Sequence, residues 1–345
     1  MTIDALNSWL PVILFTVFAL SALLIKALIS IHSQRGLLDL PNHRSMHTRA
    51  TPTGGGLVIV LSLLATLLSV HAGWPHQSLW LSALIIAVLA LIGWFDDKFS
   101  LPVKLRFFLF IALAILLVIW VGRVDTIHFA NDDFLPVPTL LAGLLTAIGF
   151  IWLINLYNFM DGMDGLAGMQ AVIAAAFFAN WFYAVGDIAW ALVCLCVVAS
   201  NLGFLVWNWS PAKIFMGDIG SLSLGGLFAI LTVVGVSQYQ FSVLACALLL
   251  GVFVFDATYT FLRRLYRRER VFEAHRSHLY QRLAGCGIRH WLIVMVLAGL
   301  MLILSGLAES VRLGLISSLL AGLLGLISVI SLLIWVIIAE KVAKK

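Results

Sequence analysis

Charge is scarce in this chain: Asp, Glu, Lys and Arg together make up 11% of its 345 residues. Cysteines are few as well, and the four that are present show no spacing typical of a zinc site or a disulfide framework. Hydrophobic residues make up 62% of the chain, and the mean hydropathy is +1.08. No soluble domain needs so much apolar surface, so the composition predicts an all-α polytopic membrane protein.

Long apolar runs recur along the whole sequence and predict about eleven transmembrane helices, since a span needs about 20 apolar residues. The predicted spans are 8–32, 55–72, 78–95, 104–122, 138–156, 168–185, 187–207, 220–236, 240–262, 291–307 and 312–339. We expect a single integral membrane domain, 1–345, in which one long basic loop, 263–290, stands out.

Lys and Arg are concentrated on one side of the predicted membrane. The segments 33–54, 96–104, 157–167, 208–219, 263–290 and the C-terminal tail hold most of them, whereas the other side receives Arg123 and Arg312. Because cytoplasmic loops carry the excess of basic residues, the pattern predicts an outer N-terminus and a cytoplasmic C-terminus. Within 263–290, apolar residues interleave with arginines and predict an amphipathic helix lying on anionic lipid.

Five carboxylates lie on the predicted cytoplasmic side. Asp96 and Asp97 end the third span, Asp161 and Asp164 follow the fifth, and Asp218 precedes the eighth. Each is compatible with a solvated helix cap, but two adjacent carboxylates at a helix C-terminus repel each other and the macrodipole unless a cation binds. Oxygen ligands suit Mg²⁺, or alternatively Mn²⁺, held together with substrate phosphates. The cluster therefore predicts a metal–phosphate site in a cytoplasmic cleft.

Basic residues in two cytoplasmic loops are candidate phosphate partners. His47 and Arg49 lead into a Thr-Pro-Thr turn; alone they are typical of ordinary positive charge on a cytoplasmic loop, but a phosphate site opposite them makes them candidate ligands. His275 and His278 lie three residues apart. A zinc pair is one interpretation, and substrate contact or proton handling is favoured because no other soft ligands accompany them.

Five motifs stand in order on that one side: "RSMHTRATPTGGG", "FDDKFS", "NFMDGMDGLAG", "NWSPAKIFMGDIGS" and "HRSHLYQRL". In combination they resemble the polyprenyl-phosphate N-acetylhexosamine-1-phosphate transferases, enzymes of the glycosyltransferase family 4 type in the bacterial inner membrane that start O-antigen and related glycans. The resemblance extends from about Arg35 to Arg289. "HRSH" departs from the adjacent histidines of the related phospho-N-acetylmuramoyl-pentapeptide transferases, which argues against a muramoyl-pentapeptide substrate.

The resemblance implies a role for each motif. Asp96 and Asp97 match the family's aspartate pair, one of which would activate or orient the lipid phosphate. Of the two, we expect Asp97 to orient the phosphate, directly or through another group, and Asp96 to be the candidate base. Asp218 matches the Mg²⁺ ligand. The nucleotide side comprises Asn158, Asp161, Asp164, Asn208 and Phe215, whose ring would stack on uracil, with Arg49 near a basic position of the family. His275 and His278 match the histidine motif.

The implied reaction transfers the 1-phosphate of an N-acetylhexosamine, or of its 6-deoxy derivative, from a UDP-sugar to undecaprenyl phosphate and releases UMP. It would initiate the synthesis of O-antigen or a related glycan, as part of lipopolysaccharide and cell wall biogenesis. The expected partners are the UDP-sugar, undecaprenyl phosphate and anionic lipids, with no nucleic acid. Relatives in the peptidoglycan branch form dimers, which makes a homodimer an expectation here. The expected location is the inner membrane, with the active site on its cytoplasmic face.

Two other classes of function remain open from the residues alone. A membrane transporter of an anionic substrate places ionisable residues near the bilayer midplane. In this chain Lys26 and Asp256 lie within predicted spans, each near the cytoplasmic end, which argues against a translocation path. A lipid-binding scaffold would explain the basic loop but not the five carboxylates.

Overall fold

The computed structural model describes residues 3–35, 38–39, 50–128, 134–270 and 275–344. Its long helices are α1 (Ile3–Arg35), α2 (Gly56–Gly73), α3 (Gln77–Phe99), α4 (Val103–Leu116, continued by a π-helical turn Leu117–Val121), α5 (Thr139–Met160), α6 (Leu166–Ala184), α7 (Ile188–Asn208) and α8 (Asp218–Tyr239). They are followed by α9 (Val243–Leu249), α10 (Gly251–Tyr266), α11 (Leu279–Gly285), α12 (His290–Arg312) and α13 (Ser318–Ala343). The strands β1 (Leu38–Asp39) and β2 (Thr51–Pro52) pair antiparallel, as do β3 (Thr126–His128) and β4 (Phe134–Pro136).

The helices confirm a polytopic all-α membrane protein. In the described ranges, ten are long and apolar enough to cross a bilayer. The ninth predicted span, 240–262, is different: it is a pair, α9 and α10, bent by 88°. Ten crossings, or eleven if the bent pair also crosses, therefore agree with the predicted number. The direction in which the chain crosses stays a prediction.

A buried side chain from α6 stabilises the break between α9 and α10. Within a membrane, a backbone carbonyl released from a helix needs another donor. The side-chain amide of Gln170, which is fully buried, donates to the carbonyl of Leu249 at 2.9 Å. Gly251 follows the break, and a Cβ there would lie 2.8 Å from Leu304 of α12. Close packing therefore favours glycine at the bend.

The centre of the bundle is α8, which contacts α3 and α5 along much of its length. Small residues occur around the whole circumference of α8, namely Gly220, Ser221, Ser223, Gly225 and Gly226. Small residues let membrane helices approach closely, and packing rather than the hydrophobic effect holds them together. The outer helices α1 and α13 instead expose large apolar side chains such as Phe15 and Leu319. The site end of α8 is thereby held inside the protein.

Residues 263–290 do not form the single amphipathic helix that their sequence predicts. The helix α10 ends at Tyr266, and the seven-residue α11 begins only at Leu279. Leu279 and Leu283 are fully buried in the protein core. The apolar residues of α11 therefore pack inside the protein, and contact of this basic loop with anionic lipid stays a prediction.

Candidate active site

A cavity of about 290 Å³ lies at one end of the bundle, where the ends of α3, α5 and α8 meet the loop before α6. Its walls are formed by Asp39, Thr53, Asp97, Asn158, Asp161, Gly162, Met163, Asp164, Asn208, Phe215, Gly217, Asp218 and Gln281. Four of the five predicted carboxylates thus reach one cavity from three separate parts of the chain.

Hydrogen bonds join the three helix ends around Asp218, the first residue of α8. Its backbone N–H donates to Oδ1 of Asp97 at 3.0 Å. The side-chain amide of Asn158 donates to Oδ1 of Asp218 at 2.7 Å and to Oγ of Ser221 at 3.0 Å. The N-terminus of a helix stabilises negative charge, so α8 offsets part of the cost of placing Asp97 at the C-terminal end of α3.

The approach of α3 to the first turn of α8 depends on Gly93. A Cβ at this position would lie 2.4 Å from the carbonyl oxygen of Asp218 and 2.5 Å from the backbone nitrogen of Ile219. These are backbone atoms, which cannot rotate away as a flexible side chain would. Gly93 therefore allows Asp97, one helical turn further on, to reach the N-terminus of α8.

Asp96 has a different environment from its neighbour Asp97. Its carboxylate is paired with the guanidinium of Arg106 on α4, and its Oδ1 accepts the backbone N–H of Leu101 at 2.8 Å. Asp96 is 8% exposed. The protein thus neutralises Asp96 itself, and this geometry does not favour Asp96 as the base. The sequence position of Asp96 and Asp97 suggested that this pair needs a cation. Because Arg106 already pairs with Asp96, the two carboxylates alone do not require one.

The stronger indication of a cation is the charge around Asp161, which lies in the loop between α5 and α6. Burial away from water and the negative charges of Asp218 and Asp97 raise the pKa of Asp161 well above its usual value of 3.8. Among the described residues, no three His, Cys, Asp or Glu side chains are arranged as ligands of one metal ion. Mg²⁺, however, is commonly held by one or two carboxylates with substrate phosphates. The carboxylates present fit that mode, with Asp218 and Asp161 as the candidate ligands.

The raised pKa of Asp161 predicts how stability depends on pH when no metal is present. The folded protein keeps a proton that the unfolded chain releases above pH 3.8, so the free energy of unfolding falls as pH rises through this window. In EDTA, we expect the apparent Tm to decrease from about pH 5 to pH 8, and Asp161→Asn to reduce that slope. A control, Asp125→Asn at the other end of the bundle, should keep the wild-type slope. Equal slopes in all three proteins would contradict the assignment.

Asp164 and Asn208 fix the loops of the site. The carboxylate of Asp164 accepts the backbone N–H of Ala212 at 3.1 Å and lies 3.8 Å from Nδ1 of His290. Burial opposes its ionisation, but the bonds from His290 and Ala212 outweigh burial and lower the pKa of Asp164. Asn208 accepts the backbone N–H of Gly165 and donates to the carbonyl of Ile214, both at 2.8 Å. Each residue therefore ties the loop before α6 to the segment before α8.

Phe215 lies in the cavity wall because its backbone is joined to the Thr-Pro-Thr turn. Its N–H donates to the carbonyl of Pro52 at 2.8 Å, and its carbonyl accepts the N–H of Gly55 at 2.9 Å. His32 of α1 contacts the carbonyl of Thr53 through Nδ1 at 2.8 Å. These contacts place an aromatic residue beside the carboxylates, as the predicted nucleotide site requires. His47 and Arg49 lie outside the described residues.

The two histidines are neighbours of the cavity rather than part of its wall. Their ring centroids are 5.0 Å apart, and Nδ1 of His275 is 2.9 Å from Oγ of Ser277. His278 is 3% exposed, and its Nδ1 lies 3.1 Å from Oδ1 of Asp256. With His278 so enclosed, the geometry supports a positioning role for this residue better than direct contact with substrate.

Tyr280 of α11 packs on the loop between α5 and α6, residues 161–165, which we call the carboxylate loop, and sets a steric limit at Gly162. Its hydroxyl donates to the carbonyl of Phe159 at 3.1 Å, and a Cβ at position 162 would lie 2.3 Å from that hydroxyl oxygen. We expect Gly162→Ala to lower activity by roughly tenfold, since small displacements of catalytic groups are costly. Tyr280→Phe should restore part of it by removing the clashing oxygen. The measurement is kcat/KM for the two single variants and the double variant, and additive losses would contradict the contact.

The sequence analysis assigned no individual role to several residues of the site. Asp39, Thr53 and Gln281 line the cavity, whereas Arg106 and His290 pair with carboxylates of the motifs. Thr53 and Gln281 belong to motifs quoted above, so their position in "TPTGGG" and "HLYQRL" was an available signal. Asp39 reaches the cavity because β1 pairs with β2, which nothing in the sequence indicates.

Known proteins resemble this chain across most of its length. The profile of glycosyl transferase family 4 matches residues 79–236. A probable undecaprenyl-phosphate N-acetylglucosaminyl 1-phosphate transferase of Bacillus subtilis is 32% identical over 294 residues, which cover 83% of this chain and 80% of the relative. The chain belongs to glycosyl transferase family 4. It is therefore a phosphosugar transferase, as its motifs predicted.

Other relatives of this family 4 transferase are phospho-N-acetylmuramoyl-pentapeptide-transferases. The Lactiplantibacillus plantarum protein is 35% identical over 197 residues, which cover 53% of this chain and 61% of the relative. The Aquifex aeolicus protein is 30% identical over 288 residues, covering 72% and 77%. The match to the family profile, residues 79–236, contains the four motif carboxylates that line the cavity: Asp97, Asp161, Asp164 and Asp218.

A larger cavity, of about 670 Å³, lies at the opposite end of the bundle. It is bounded by Trp181, Tyr239 and Arg312. Arg312 is paired with Glu309 at 2.9 Å through Nε, and the hydroxyl of Tyr239 donates to Asp187 at 2.5 Å. Two of its polar side chains are therefore already paired, and the motifs lie at the other end, so the smaller cavity is the candidate active site.

Proposed function

We propose that this transferase moves the 1-phosphate of an N-acetylhexosamine, or of a 6-deoxy N-acetylhexosamine, from a UDP-sugar to undecaprenyl phosphate and releases UMP. It would act with Mg²⁺ at the cytoplasmic face of the bacterial inner membrane and start O-antigen or a related glycan. One observation carries the proposal. Carboxylates at the ends of α3 and α8 and in the loop before α6 face one small cavity with an aromatic residue in its wall.

The chemistry requires two anions to meet. A bound divalent cation, held by Asp218 and Asp161, would neutralise charge on the diphosphate and on the departing UMP. Asn158 orients Asp218 through its side-chain amide, and Phe215 offers a ring for the uracil. The lipid phosphate needs no strong base, because the second pKa of a phosphate monoester is about 6.

Asp97 is the residue that we assign to the lipid phosphate. It lines the cavity, and its Oδ1 is fixed by the N–H of Asp218. A carboxylate in this place can orient the phosphate or accept its remaining proton. Asp96 has a supporting role, because its pairing with Arg106 holds in place the last turn of α3, which carries Asp97.

Transport of an anion is less consistent with the environment of Asp256, an ionisable residue within the predicted spans. A transporter would expose such a residue to a pathway. Asp256 is 1% exposed, and its two oxygens accept N–H groups from Leu279 and Tyr280 at 2.9 and 3.3 Å. It also accepts the hydroxyl of Thr260 at 3.1 Å. Asp256 therefore holds α11 in place.

Release of UMP tests the proposal directly. Purified full-length protein is incubated with undecaprenyl phosphate, Mg²⁺ and, one at a time, the UDP derivatives of N-acetylglucosamine, N-acetylgalactosamine, N-acetylfucosamine and N-acetylquinovosamine. We expect UMP and a lipid-linked sugar diphosphate in equal amounts with at least one donor, and none after EDTA. Absence of UMP with all four donors would count against the proposed transfer. Uptake of a donor into vesicles that contain the protein, without release of UMP, would count for transport.

A further inference from the structure

The helix α11 carries one wall of the cavity but is too short to be stable alone. It has seven residues, and isolated helices of that length do not persist in water. Gln281 lines the cavity, with its Nε2 3.4 Å from the position that a Cβ of residue 162 would occupy. Contacts from other helices must therefore set the position of Gln281 against the carboxylate loop.

Two of these contacts come from helices that flank the site. Asp256 of α10 accepts the backbone N–H groups of Leu279 and Tyr280, which fixes the start of α11. The hydroxyl of Tyr280 donates to the carbonyl of Phe159 at the end of α5. Both contacts lie on the side of α11 that faces the core, since Leu279 and Tyr280 are fully buried.

A third contact comes from the last turns of the C-terminal helix. Arg282, next to Gln281, donates to Glu340 of α13 through Nε at 2.8 Å and Nη2 at 2.9 Å. Such a two-point pair fixes orientation as well as distance. The side chain of Arg282 is 14% exposed and that of Glu340 is 35% exposed. The pair therefore joins α11 to α13, in addition to the contacts with α10 and α5.

We propose that Glu340 is a positioning residue, which acts through Arg282 to hold Gln281 of α11 in the wall of the active site. The C-terminal helix, most of whose residues are exposed or only partly buried, thereby supports the catalytic cavity from outside. The inference rests on the proposed transferase function for its activity readout. Glu340 touches no reacting group, so its loss should alter the placement of α11 and not the carboxylates themselves.

The test compares Glu340→Gln, Arg282→Glu and the reversed pair Arg282→Glu/Glu340→Arg in the full-length protein. The donor is UDP-N-acetylglucosamine or whichever of the four nucleotide sugars the wild type uses. We expect Glu340→Gln to lower kcat/KM by roughly tenfold and Arg282→Glu by more, as loss of alignment does. In the reversed pair, kcat/KM should recover to within about threefold of the value for Glu340→Gln. Glu309→Gln is the matched control, because it breaks a similar pair with Arg312 at the other end of the bundle.

Hydrogen exchange gives a second readout that does not depend on activity. In Glu340→Gln, amides of residues 275–285 should exchange several-fold faster than in wild type, while Glu309→Gln leaves them unchanged. Unchanged exchange of α11, or activity of Glu340→Gln within twofold of wild type, would overturn the positioning role. Equal losses in both Gln variants would also overturn it. Faster exchange in a protein whose wild type releases no UMP would support the contact while rejecting the proposed function.

Discussion

Replacing Asp218 with asparagine is expected to abolish UMP release and at the same time to stabilise the metal-free protein. Asparagine keeps the size of the side chain and an oxygen that can accept from Asn158, so the fold should persist. It removes the charge that a metal ligand needs, and we expect kcat to fall by about a thousandfold, or about 4 kcal/mol of transition-state stabilisation. Repulsion of Asp161 by Asp218 disappears as well, so the apparent Tm in EDTA should rise.

The opposite signs of these two effects distinguish a metal ligand from a structural carboxylate. If the carboxylate mainly held the fold together, its replacement by asparagine would lower both the stability and the activity of the protein. Asp125→Asn, which removes a partner of Arg123 away from the cavity, should leave kcat near wild type. Retention of more than a tenth of the wild-type kcat in Asp218→Asn, or a lower Tm in EDTA, would contradict Asp218 as the metal ligand.

The coarse architecture was accessible from sequence because bilayer thickness fixes the length of the helices. Apolar runs of that length predicted the spans, and alternation of the loops placed the five carboxylates on one side. The bend between α9 and α10 was not accessible. The bend is stabilised by Gln170, which lies 79 residues away from Leu249 in the chain. No local sequence pattern therefore predicts the bend.

The different roles of Asp96 and Asp97 could not be predicted from the sequence either. Consecutive residues on a helix point about 100° apart, since a turn takes 3.6 residues. Two adjacent carboxylates therefore point in different directions, and the sequence does not state which of them the rotation of the helix turns towards the cavity. Here Asp97 faces the N-terminus of α8 and Asp96 faces Arg106.

Motif residues differ in what their polar side-chain atoms bond: some present these atoms to the cavity, and others use them on the protein's own loops. Asn208 uses its side-chain oxygen and its nitrogen on backbone partners, and His278 lies against Asp256. Both kinds of residue are polar and stand in the same motifs, so the sequence does not separate them. Only the hydrogen-bond partners separate them.

Asp97→Asn and Asp96→Asn should therefore fail in different ways. In Asp97→Asn the new amide oxygen could still accept the N–H of Asp218 but would present no negative charge to the lipid phosphate. We therefore expect kcat to fall by about a hundredfold or more with an unchanged Tm. Asp96→Asn leaves Arg106 without its charged partner, which costs about 1–3 kcal/mol.

The distinguishing measurement for this pair is activity set against thermal stability in the same preparation. For Asp96→Asn we expect a lower Tm and a loss of activity smaller than that of Asp97→Asn. Arg106→Gln is the matched variant, because it breaks the same pair from the α4 side; it should reproduce the lower Tm and leave Asp97 in the cavity wall. If Asp96→Asn instead lost more activity than Asp97→Asn at an unchanged Tm, Asp96 would be the residue that meets the substrate, and the orientation of the last turn of α3 would have to differ from the one described.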